Sequence, residues 1–180
     1  MTSRFPLRPA PVDTTPRRPR PTGRRLVGST ALLLAGVTLL AACTPAVPLT
    51  PADDATNPGC ADLIVRLPDT VADEPRRETN AQATGAWGNP ASILLHCGVA
   101  LIPPTTDSCV NINGVDWIED DSDAPRFRFT TYGREPATEV VLDSEKVAGS
   151  TVLVDLSTAL KFIPQTRACV GAEDLEIPTE

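Results

Sequence analysis

Apolar positions in this chain change their period several times, and each change marks an element. Cys60, Leu63, Ile64 and Leu67 recur at i, i+3, i+4 and i+7, which predicts an amphipathic helix opening at Pro58 and stopped by Pro68. Over residues 92–99 the period falls to two, with Ile93, Leu95, Cys97 and Val99 on one face and Leu94, His96 and Gly98 on the other. Asn113-Gly114 is a favoured two-residue turn and predicts a hairpin joining residues 110–112 to 115–118, with Trp117 on the side of Val115. Residues 126–132 alternate again, Phe127 and Phe129 inward, Arg126 and Arg128 outward. After a turn at residues 133–136, Val140 and Leu142 mark a further strand over 138–142. Residues 152–156 fit strand and helix alike; Ser157 as an N-cap predicts a helix from there to Ile163, ended by Pro164.

Between these segments the periodicity lapses. Residues 70–80 are charged and read as loop, 81–87 as a short helical turn before Gly88-Asn89-Pro90, and 119–123 as an acidic loop. The sum is an α+β domain: a small antiparallel sheet of about four strands with an N-terminal and a C-terminal helix.

Ahead of the domain stands an uncharged apolar run, Leu26 to Leu40, behind Arg17, Arg18, Arg20, Arg24 and Arg25. It has the length of a secretory h-region and is short of the ~20 residues that span a bilayer. Leu40-Ala41-Ala42-Cys43 closes it as a lipobox, so Cys43 is the expected lipidation site and the N-terminus of the processed chain. A plain signal peptide cut near Ala42, or an uncleaved anchor, is the alternative, and export by the general or the twin-arginine route is left open. Residues 1–42 are then a disordered Pro/Arg-rich n-region and signal peptide, and 43–57 a lipidated, flexible tether. A single extracytoplasmic domain occupies 58–170, and 171–180 form an acidic tail.

Removing the leader changes the charge. Residues 43–180 hold nine of the sixteen Lys and Arg and twenty-two of the twenty-three Asp and Glu, a balance near −13. Such a body repels nucleic acid, so none is expected as partner, and the lipid alone must hold it to a membrane. Removing Cys43 also leaves four cysteines, Cys60, Cys97, Cys109 and Cys169, for two disulfides in an oxidising compartment. Of the three pairings these allow, Cys97 with Cys109 would tie the first strand to the hairpin. Cys60 with Cys169 would staple the N-terminal helix to the C-terminal tail.

Five short stretches carry a resemblance: Cys60-Ala61-Asp62-Leu63 with Leu67-Pro68, Ala86-Trp87-Gly88-Asn89-Pro90, Leu95-His96-Cys97-Gly98-Val99, Val115-Asp116-Trp117 and Gly133-Arg134-Glu135-Pro136. In these the chain resembles an actinobacterial family known as domain of unknown function 3515, over residues 60–169. The resemblance implies a secreted or lipid-anchored envelope protein. It implies no activity, so it assigns no catalytic residue.

The chemistry on offer is sparse. His96, the single histidine, serves either as a general base or ligand contact, or as a polar residue on a sheet face. No G-x-S-x-G motif, C-x-x-C pair or phosphate-cradling loop is present, so neither cofactor nor metal is expected. The acidic run 119–123 lacks the glycine and terminal glutamate of a calcium loop. Trp87 and Trp117 belong either to the core or, with His96 and Arg134, to a binding surface. The expected function is a non-enzymatic, lipid-anchored accessory protein on the outer face of the cytoplasmic membrane, binding an envelope protein or a wall component. The alternative is an envelope hydrolase or transferase using His96 with a nearby carboxylate. A small-molecule binding lipoprotein is a weaker third, because one short domain lacks a two-lobed cleft.

Overall fold

Asn57 and Pro58 start the first helix, α1 (Pro58–Ile64): the Asn57 side chain accepts from the Gly59 amide at 2.9 Å, and proline occupies the first turn, where its missing N–H costs nothing. Cys60 and Leu63 face the core. At its far end Arg76 donates to the carbonyls of Ile64 and Leu67, 3.3 and 3.1 Å away, satisfying acceptors that a helix terminus leaves open. These features belong to a computed structural model that describes residues 44–169.

Eight strands follow: β1 (Thr70–Val71), β2 (Glu74–Arg77), β3 (Thr84–Trp87), β4 (Ile93–Val99), β5 (Cys109–Ile112), β6 (Val115–Asp123), β7 (Arg126–Thr131) and β8 (Ala137–Asp143). They form one antiparallel sheet in the order β1-β2-β3-β4-β8-β7-β6-β5, before the second helix, α2 (Gly149–Leu160). The sheet is thus twice the size expected from about four strands. The missed strands lack alternation for identifiable reasons. β2 reads Glu-Pro-Arg-Arg, a charged strand near one edge of the sheet. β3 lies between β2 and β4 and is buried along its whole length, so it shows no polar face. β6 runs on to Asp123 because its acidic end pairs with β7, Asp120 opposite Arg128.

The core lies between one sheet face and the two helices, filled by Trp87, Ile93, Leu95, Trp117, Val140 and Leu142 with Leu156 and Leu160 of α2. Phe127 and Phe129 turn inward as the alternation predicts. α2 starts eight residues before the expected N-cap. Ser157 is buried and donates to the Leu153 carbonyl at 2.6 Å, a polar side chain satisfied inside a helix rather than at its start. Both sheet edges reach α2: Ser157 Oγ also lies 3.3 Å from the Ile112 carbonyl of β5, and Asp155 accepts from the Ala72 amide after β1 at 2.8 Å. The sheet therefore curls around this helix and leaves its other face outward.

Two disulfides form, but with other partners than expected. Cys60 bonds Cys97, with Cα atoms 5.6 Å apart, and Cys109 bonds Cys169, with Cα atoms 6.2 Å apart. The first fastens α1 to β4; the second holds the segment after α2 to the β5 edge. β4 runs mid-sheet beneath α1, so Cys97 meets Cys60, while Cys109 lies at the opposite edge of the sheet.

Residues 44–57 are not the free tether expected. Val47 pairs with Thr79, its amide donating to Glu78 at 2.8 Å; Leu49 N donates to Asn80 Oδ1 at 2.8 Å, and Asp54 N to Gly98 O at 3.0 Å. Gly98 is required there, since at φ +88° a Cβ would run into the Asp54 carbonyl. The signal-peptide, lipobox and acidic-tail readings, with Cys43, lie outside the described residues.

Candidate functional site

The outward face of the sheet takes the residues that alternate with the core: Leu94 and His96 from β4, Glu139 and Val141 from β8, Arg126 and Arg128 from β7, Asp120 from β6. Register brings three of them into one row, because His96 lies opposite Glu139, and Glu139 opposite Thr130, two residues from Arg128. Arg128 Nη1 donates to Glu139 Oε2, and Arg128 Nε lies 4.0 Å from Asp120 Oδ2. His96 Nδ1 lies 3.8 Å from Glu139 Oε1, beyond hydrogen-bond range, and finds no hydrogen-bond partner among the described residues. Burial lowers the His96 pKa below 6.5, Glu139 opposes that shift, and Arg128 adds to it. Burial and Arg128 thus favour the neutral imidazole over the imidazolium.

Beside this row the chain from 100 to 108 folds over the outer end of β6. Between the two lies a groove of about 580 Å³, with Ile102, Ile118 and Thr130 next to Asp107, Asp120 and Arg128. A second hollow of about 330 Å³ continues past Ile118 to Tyr132 and Cys169. The covering segment is held from the C-terminal side, where Arg167 donates to the Ile102 carbonyl at 3.3 Å and its guanidinium stands 5.5 Å from the Tyr132 ring. Gly133 receives the Thr166 and Arg167 amides on its carbonyl, and at φ +70° it leaves no room for a side chain against Arg167.

The four expected surface residues part company. His96 is on the outward face, as the alternation predicts, with Glu139 of β8 between it and the strand of Arg128. Trp87 and Trp117 are fully buried, Trp87 Nε1 donating to the Pro68 carbonyl at 3.0 Å, so neither offers a binding surface. Both fall on the inward side of their strands, where a large ring fills core volume. Arg134 is buried too, at 5% exposure. It donates to the carbonyls of Ile163 and Gly114 and to Gln165, while Gln165 and the Cys169 amide donate to Asp116 at 2.8 and 2.9 Å. Arg134 and Asp116 thus fix the chain after α2 instead of meeting a ligand.

Sequence reasoning missed Glu139 and Asp107, and weighed Asp120 only within the acidic run 119–123. The period of β8 already put Glu139 outward, but only the register between β4 and β8 sets it against His96. The residues of the resemblance have structural tasks here: Cys60 and Cys97 bond each other, Gly98 and Gly133 admit close backbone, and Asp116 and Arg134 pin the C-terminal segment. Among the described residues no group of three or more His, Cys, Asp or Glu is placed to hold a metal ion, and no helix is long and apolar enough to cross a membrane.

No curated protein and no solved structure matches the chain. A family model does, over residues 27–168, and it is described as Protein of unknown function (DUF3515). That span takes in both helices, every strand and the outward row, and the chain belongs to this family.

Proposed function

We propose that the chain is a lipid-anchored binding protein of the bacterial cell envelope, working outside the cytoplasmic membrane through the groove over β6 and β7. The groove carries this reading. Its apolar floor at Ile102 and Ile118 suits the stem of a lysine or arginine, and Asp107 and Asp120 at its rim suit the charged head. The balance near −13 over residues 43–180 draws cations toward the whole body, so the partner is a basic segment of an envelope protein. Leu40-Ala41-Ala42-Cys43 supports the lipid, and two disulfides suit an oxidising compartment. Lysine occurs only at Lys146 and Lys161, which with abundant Ala, Pro and Arg supports a high-GC actinobacterial source.

A second reading, an envelope hydrolase or transferase, draws on the unpartnered His96 Nδ1 near Glu139. Against it, Arg128 already holds the carboxylate that would have to orient the imidazole. Pull-down from crosslinked envelopes tests the first reading: the wild-type chain should recover a basic partner that Asp107→Asn/Asp120→Asn loses. Recovery of no reproducible partner, or equal recovery by the variant, contradicts it. A cellular phenotype abolished by His96→Ala, with the fold intact, would favour the enzyme.

A further inference from the structure

The strap that residues 45–54 form along residues 77–80 and on to Gly98 changes what a lipid on Cys43 does. A free tether of residues 44–57 would extend to roughly 45–50 Å. Instead Arg77 Nη2 donates to the Pro45 carbonyl at 3.1 Å, and the backbone contacts of Val47, Leu49 and Asp54 continue the attachment along the sheet. Only Thr44 separates Cys43 from that first fixed carbonyl, about 8 Å of chain at 3.8 Å per residue. The same guanidinium donates through Nη1 to Gly88 O and Asn89 Oδ1, both at 3.0 Å, so the turn between β3 and β4 is locked to the start of the strap.

We propose, resting on the lipid attachment put forward above, that the surface at Pro45, Ala46, Asn89 and Pro90 lies directly against the bilayer. These four residues are exposed and uncharged. The domain then has a membrane end and a distal end. Trp87 pairs with Ile93, Ile93 with Leu142, and Asp143 with Arg126, which places the turns after β3 and after β6 at the end nearest the lipid. The turn at Gly114 lies at the other end of the nine-residue β6, about 25–30 Å along the strand. Lys161 marks that distal end, its side chain beside Gly114.

The test uses the full, lipidated chain in phosphatidylglycerol–phosphatidylcholine vesicles with acceptor-labelled lipid. A fluorescent amino acid is placed at Asn89 or at Lys161, and energy transfer to the membrane is measured beside the intact mass. Strong transfer from position 89 and its near-complete loss at 161 is the expected result. A twelve-residue Gly/Ser insertion between Cys43 and Thr44, with a reach of about 17–21 Å, should bring the two positions to similar transfer. A lipidated chain with equal transfer from both positions before the insertion, or with no response to it, overturns the docked surface alone. A chain whose mass shows no lipid overturns the anchoring itself.

Discussion

Glu139 gives its carboxylate to Arg128 and stops 3.8 Å short of His96 Nδ1. Three charges that β4, β7 and β8 bring into one row therefore resolve as an ion pair beside a neutral imidazole. The single histidine makes this measurable. Its proton resonance should titrate with a midpoint below 6.5, moving up in Arg128→Gln and further down in Glu139→Gln. The unfolded chain takes up its proton near 6.5 and the folded chain only at lower pH. Stability should therefore fall as pH drops through that window, and then level off below the folded midpoint. His96→Asn should remove this part of the slope in denaturant titrations; an unchanged slope would contradict it.

Arg134 and Arg128 should behave oppositely on truncation. Arg134 is buried against Ile163, Gly114 and Gln165, so Arg134→Ala strands several buried acceptors, a loss of about 2–4 kcal/mol. Arg128 is half exposed on the sheet face, and Arg128→Ala should cost less than about 1 kcal/mol. Urea unfolding at pH 7 compares the two, and similar losses would refute the division between a structural and a surface arginine.

Gly98→Ala should loosen the strap. The new Cβ meets the Asp54 carbonyl at a positive φ, which predicts a loss of about 1–3 kcal/mol. Amides of Val47, Leu49 and Asp54 should then exchange with solvent faster than in the wild type. Hydrogen exchange confined to other segments would contradict the attachment.

Peptide mapping without reduction should recover Cys60 linked to Cys97 and Cys109 linked to Cys169. Each closes a long loop, with separations of 37 and 60 residues, and the chain-entropy model gives about 4 kcal/mol for either. Cys60→Ser/Cys97→Ser should therefore lower stability by several kcal/mol. Any other linkage contradicts this topology.

Local signals in the sequence locate α1, β4, the Asn113-Gly114 hairpin, β7 and β8, since each has a clear apolar period or a turn pair. β3 and α2 were harder for one reason: their surroundings are supplied by distant segments. Ala86 reads as neutral, yet it is fully buried between β2 and β4, and Ser157 looks like a cap yet its hydroxyl is satisfied within the helix. The outward side of His96 was legible from alternation. Its neighbours Glu139 and Asp120 were not, because strand order and register are long-range properties. Trp87 and Trp117 take the core alternative, since their volume fills it, whereas Arg134 misled because charge suggests a surface while hydrogen bonding holds it inside.

The groove's role is tested most directly by photocrosslinking in intact cells, with a photoreactive residue at Asp121 beside the groove or at Thr158 on the exposed side of α2. A discrete adduct from position 121, absent from 158 and lost with Asp107→Asn/Asp120→Asn, is the predicted result. No adduct at 121, or the same adduct from both positions, would contradict a binding function for this face.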